Sequence, residues 1–177
     1  MLRNIQIIGS LILLFTISSC QEEGLLKEIS QTQERAQNLL DQINQYKEVD
    51  LSEEQKEAHK LVQSLSPHFN QLKGEALKTF VNLANVEKAN KKIDLNFDNL
   101  EKEVKYSIEQ LSALHRELKQ NELTIEKAQD YLSTEIKVLK KSEVLFKIKE
   151  NDILNLQERY QSLIPKNKAI ADSILIN

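Results

Sequence analysis

Apolar residues recur along this chain at steps of three and four, and the two steps add to sevens. Ile29, Ala36 and Ile43 repeat every seven residues, with Thr32, Leu39 and Tyr46 three places further on. Phe97, Val104, Leu111 and Leu118 form a second series, and Leu132, Leu139, Phe146, Ile153 and Tyr160 a third. Such a repeat draws one narrow apolar stripe along a helix, the pattern of a coiled-coil seam. The stripes predict four helices, over about residues 25–49, 52–92, 95–120 and 125–164.

The boundaries follow from local chemistry. Asp50-Leu51-Ser52 interrupts the first series, and Ser52 with Gln55 has the capping-box pattern that would start the second helix. Pro67 lacks a backbone donor, so it should kink or restart that helix near Ser66. Asp94 or Asn96 can cap the third helix. Leu118 and Ile125 are also seven apart, so the heptads alone would allow one straight helix of about 105 Å from Leu95 to Ile164. Asn121 and Thr124, weak helix formers at stop and start positions, favour a hairpin instead. Pro165 should end the fourth helix, leaving 165–177 as a C-terminal tail whose Ile170, Ile174 and Leu175 could dock as one more turn. Leu77, Val81 and Ala84, and again Val144, Leu145 and Ile148, broaden the stripe; they suggest burial against more than one neighbour or, in an interaction module, apolar surface left over after folding.

Composition points the same way. With only 3 Gly and 2 Pro, the chain lacks the turn residues that sheets and loop-rich enzymes need. The expected fold is all-α, an antiparallel helical bundle or set of coiled-coil hairpins of about four helices after an N-terminal segment of a different kind. Acidic and basic residues are interspersed and the net charge is −3, which gives no electrostatic footprint for nucleic acid.

Catalytic and metal chemistry find no parts. His59, His68 and His115 have no second His or carboxylate at zinc-helix spacing, and no Glu-x-x-His pair suits a di-iron bundle. No serine sits in a Gly-flanked elbow and no glycine loop could cradle phosphate. Glu101–Lys105 and Glu143–Lys147 read as i,i+4 pairs on solvated faces. Tyr46 and Tyr160 fall on seams and read as core. No catalytic residue, cofactor, metal site or small-molecule substrate is expected, and the chain does not read as an enzyme.

The remaining stretch is the N-terminus. Arg3 precedes an apolar run from Ile5 to Ile17, roughly a dozen residues and shorter than the ~20 that a membrane span needs. Residues 1–19 therefore read as a secretory signal. Ile17-Ser18-Ser19-Cys20 resembles the lipobox of bacterial lipoproteins, an apolar residue and two small ones before Cys, the only cysteine here. The resemblance covers the first twenty residues. It implies cleavage before Cys20, a diacylglyceryl thioether on its sulfur and an acyl chain, such as palmitate, on its new amino group. Several acyl chains make attachment durable where one is marginal. Residues 20–24 would form a short tether, whose four residues after Cys20, Gln21 to Gly24, span about 14 Å if extended.

The expectation for the whole is a membrane-anchored, non-catalytic helical lipoprotein of the bacterial cell envelope. It would serve as a structural or protein-interaction module, meeting a protein partner or itself through helix faces. Gln21, where inner-membrane retention would have Asp, favours the outer membrane. Glu22-Glu23 resembles the acidic export tag of some Bacteroidota lipoproteins, which leaves a surface-exposed module contacting host or environmental ligands as the alternative.

Overall fold

A computed structural model describes the backbone of residues 2–175 and the side chains of residues 20–174. It is all-α: α1 (Leu2–Lys47), α2 (Ser52–Leu65), a 3-10 turn (Ser66–Gln71), α3 (Gly74–Asn90), α4 (Asp98–Lys119) and α5 (Ile125–Leu175). No strand occurs among the described residues. The chain divides into two units, one of residues up to 44 with 97–145, the other of residues 45–96 with those from 146 on. Both α1 and α5 contribute to each.

The first unit is a three-helix bundle built on the predicted seams. Leu25, Ile29, Thr32, Ala36, Leu39 and Ile43 of α1 are buried. Also buried in this unit are Leu100, Val104, Ser107, Leu111, Leu114 and Leu118 of α4, and Ala128, Leu132, Leu139 and Ser142 of α5. Steps of three and four along each helix hold one face on the common axis. Leu25 and Glu28 share a shallow cleft with Gln129 and Leu132, while Arg35 pairs with Glu143, so α1 and α5 run in the same direction. Between α4 and α5 the hairpin forms as expected. Asn121 takes φ 57°, the Glu122 N–H reaches the Glu117 carbonyl at 2.9 Å, and the Asn121 N–H reaches Leu118 at 3.1 Å. This is a Schellman stop, and Thr124 Oγ1 then accepts the Lys127 N–H at 3.4 Å to start α5.

In the second unit α2 and α3 form an antiparallel pair, with Gln55 joined to Asn90 and His59 to Glu87. The second part of α5 completes the core, where Leu65, Leu83, Phe80 and Tyr160 are the bulky members. Pro67 acts as predicted. α2 stops at Leu65, and the 3-10 turn carries the proline at its start, where the missing N–H costs least. Gly74 then opens α3 at φ 57°, a left-handed conformation that a side chain would strain.

Several expectations are corrected. The first helix does not start at residue 25; it runs unbroken through Cys20–Gly24. No proline interrupts it and Gly24 alone costs only about 1 kcal/mol, so the four-residue tether is helical and spans about 6 Å instead of 14. The Ser52–Gln55 capping box does not form. Ser52 is already helical, and Asp50 Oδ1 accepts its N–H at 2.8 Å. Phe97, not Asp94 or Asn96, holds the cap position of α4, while Asp94 Oδ1 accepts the Asn96 N–H at 3.0 Å and shapes the loop before it.

Pro165 does not end the fourth helix, and the expected tail is its last turns. The proline faces solvent, where water can satisfy the abandoned Gln161 carbonyl. The residues beyond it have cores to fill. Asn167 and Ala171 are buried, and Ile170 and Ile174 pack on the second unit.

Candidate functional site

Cys20 is exposed on α1 and carries a free thiol, accessible for the acylation that the lipobox resemblance implies. The side chains of residues 1–19, on which the signal peptide and lipobox reading rests, lie outside the described ones. No described helix is long and apolar enough to cross a membrane.

Of the two readings of the broad stripe in the middle of α5, burial is the one corrected. Val144, Leu145 and Ile148 are not buried between neighbours; they stand 61%, 48% and 53% exposed. The seam they were expected to widen is filled by Leu139, Ser142, Phe146 and Ile153, which leaves the adjacent face of α5 apolar and uncovered. On α3 the broadening is partly absorbed: Leu77 and Ala84 are half-buried and Val81 is exposed.

Ion pairs place most of the charged candidates in structural roles. Lys105 pairs with Glu101 at 2.5 Å, as the i,i+4 spacing predicts. Glu143 and Lys147 do not pair. Arg35 forks onto both Glu143 oxygens, at 2.8 and 3.1 Å, and Lys147 turns to Glu150 at 2.6 Å. Both bonds come from the one Nη2 nitrogen, which bridges the two carboxylate oxygens. Lys147, and after it the Tyr46 hydroxyl, hold Glu150 below the usual carboxylate range. Among the described residues no cluster of His, Cys, Asp and Glu could hold a metal ion.

One polar arrangement escaped the sequence reading. α2 and α3 flank a cleft of about 410 Å³ lined by Ser52, Gln55, Lys56, His59, Glu87, Asn90 and Lys91, with Tyr160 of α5 beneath. Glu87, 15% exposed, is its hub: Oε1 lies 2.8 Å from His59 Nδ1 and 2.9 Å from Lys91 Nζ. The Lys91 bond, then the His59 bond, keeps its carboxyl below the usual range. An ionised carboxylate only accepts, so Nδ1 carries the proton in this contact. Tyr160 is 0% exposed, yet its hydroxyl is buried without a hydrogen-bond partner. Burial, and then the charges of Glu87 and Glu54, push its pKa up, so it stays a protonated donor. His59 and Glu87 are 28 residues apart, and no local spacing signals their meeting. His68 lies half-buried in the 3-10 turn and His115 half-buried beside Leu114, both without a metal-binding neighbour set.

No known protein family, curated protein or solved structure matches this chain.

Proposed function

We propose that this protein is a lipid-anchored, non-catalytic helical module of the bacterial cell envelope, held through acylated Cys20 and docking a protein partner on the outer face of α5. The observation that carries the docking half is the exposed run Val144, Leu145 and Ile148 on successive turns of one helix. A contiguous apolar group on one helix face is the kind of surface that a partner helix can cover. Covering these three from half exposure would contribute roughly 1 kcal/mol each. The anchoring half rests on Ile17-Ser18-Ser19-Cys20 behind the apolar run, with Cys20 itself exposed. The outer membrane is the favoured location, and a partner helix laid in parallel or antiparallel fashion along α5 is the mechanism.

Two variants test the halves separately. Cys20→Ser should move the protein from the membrane fraction to the soluble fraction; retention in the membrane would overturn the anchor. A photo-reactive residue at position 144 should cross-link a discrete partner in cells, and the same probe at exposed Glu103 should not. Equal labelling at both positions would sink the docking face.

Glu22-Glu23 behind the cysteine supports the second reading, a module displayed at the cell surface toward host or environmental ligands. Protease digestion of the protein on intact cells would favour display. Protection until lysis would favour the periplasmic face.

A further inference from the structure

We propose that the exposed apolar face of α5 pairs antiparallel with the same face of a second copy of this chain. This names the partner of the docking face and rests on that reading.

The face is laid out so that one copy complements another. Lys141, Val144, Leu145, Ile148 and Asp152 follow one another at helical spacing along a single side of α5. Lys141 lies four residues before Leu145, and Asp152 lies four residues after Ile148. Opposite charges therefore stand equally far from the centre of the apolar group. A two-fold axis through that centre sets Leu145 against the partner's Ile148 and Lys141 against the partner's Asp152, and each pairing is made twice. That is the self-complementary contact a two-fold dimer requires. A parallel arrangement would set each charge beside its own copy, and like charges across an interface repel.

The two charges on this face are also unspent. On the other sides of this stretch Glu143 is engaged by Arg35, Lys147 by Glu150 and Lys149 by Asp94. Lys141 and Asp152 enter no ion pair among the described residues. What is left uncovered on α5 thus runs in the order basic, apolar, acidic. An unrelated partner would have to present that order reversed, whereas a second copy turned about the two-fold axis presents it already. From Lys141 to Asp152 the face covers about 16 Å of a helix roughly 10 Å wide. Such a footprint falls well short of the ~800 Å² per partner in a standard interface, so the pairing is weak and reversible and is best read by trapping it.

The test is photo-cross-linking in cells that make two differently tagged copies of the full chain, one carrying the photo-reactive residue at position 144. A discrete adduct that holds both tags, at about twice the mass of the chain, is expected. Lys141→Glu or Asp152→Lys, placed in both copies, should each lower its yield about tenfold by bringing like charges together. The two substitutions combined should restore it, because the charges are then exchanged and not lost. A doubly tagged adduct that neither single variant weakens overturns the antiparallel pairing. A discrete adduct of another mass without the second tag overturns the second copy as the occupant and leaves the docking face standing. No discrete adduct, or equal labelling from Glu103, removes the docking face and this proposal with it. Circular dichroism of the purified variants reports whether they fold. Lys141 is exposed and its replacement leaves the core untouched, so the loss in Lys141→Glu carries the test should Asp152→Lys not fold.

Discussion

The two units solve the same packing problem with different side chains. In the first, three long heptad runs close on a seam of aliphatic residues interspersed with Thr32, Ala36, Ser107, Ala128 and Ser142. Small side chains at intervals let helices approach closely, and few specific links are required beyond the Arg35–Glu143 fork and the 2.9 Å bond from Gln33 to Ser112. In the second, α2 has 14 residues and α3 has 17, lengths that are marginal for helices standing alone. Rings and ion pairs supply what length does not. Phe69 meets Phe80 edge-on at 6.1 Å and Tyr46 meets Phe146 at 5.5 Å. Lys149 ties the loop before α4 by holding both the carboxylate and the carbonyl of Asp94. A long regular repeat can afford a plain core, whereas a broken one concentrates its stability in a few large side chains and charged contacts.

The largest effect should come from removing one of those large side chains. Phe80→Ala should cost about 3–5 kcal/mol through lost burial and the cavity left behind. Amide hydrogen exchange should then show α2 and α3 losing protection while α4 keeps its own. Uniform loss across α3 and α4 would mean that the two units unfold as one, and the comparison would collapse.

Pro165 gives the next largest effect, and in the opposite direction. Pro165→Ala restores a donor for the Gln161 carbonyl within a helix that already continues to Leu175, and should raise stability by about 1–3 kcal/mol. A thermal melt that moves down would show that the proline serves the packing of the second unit in a way its exposed position does not reveal.

That residue also marks how far the sequence could be read. The heptads of the first unit were legible because a seam is a local repeat, and Asn121 and Thr124 were legible because turn chemistry is local. The break at Pro67 was equally visible. The continuation past Pro165 was not, since it depends on Asn167 and Ala171 finding a core made by α2 and α3. Whether Val144, Leu145 and Ile148 would be buried or left exposed was open for the same reason: periodicity reports that a face is apolar, not that a neighbour covers it. The cleft lay furthest from view. His59, Glu87 and Tyr160 come from three elements, and only the antiparallel pairing of α2 with α3 over α5 brings them together.

The smallest effect, and the most selective, should be acid. Asp50, Glu87, Asp94 and Glu150 are held below the usual carboxylate range, and all four belong to the second unit. A carboxyl whose folded pKa is depressed adds stability above its unfolded pKa and loses it as pH falls through the folded value. Acidification through the carboxylate range should therefore loosen α2 and α3 before α4, an effect that solvent screening keeps small. Glu87→Gln keeps hydrogen bonding but removes the titrating charge, so it should weaken the second unit at neutral pH and flatten its acid response. Hydrogen exchange across that pH range separates the cases. Equal acid sensitivity of α3 and α4 would show that charge, unlike ring packing, is shared evenly between the two units.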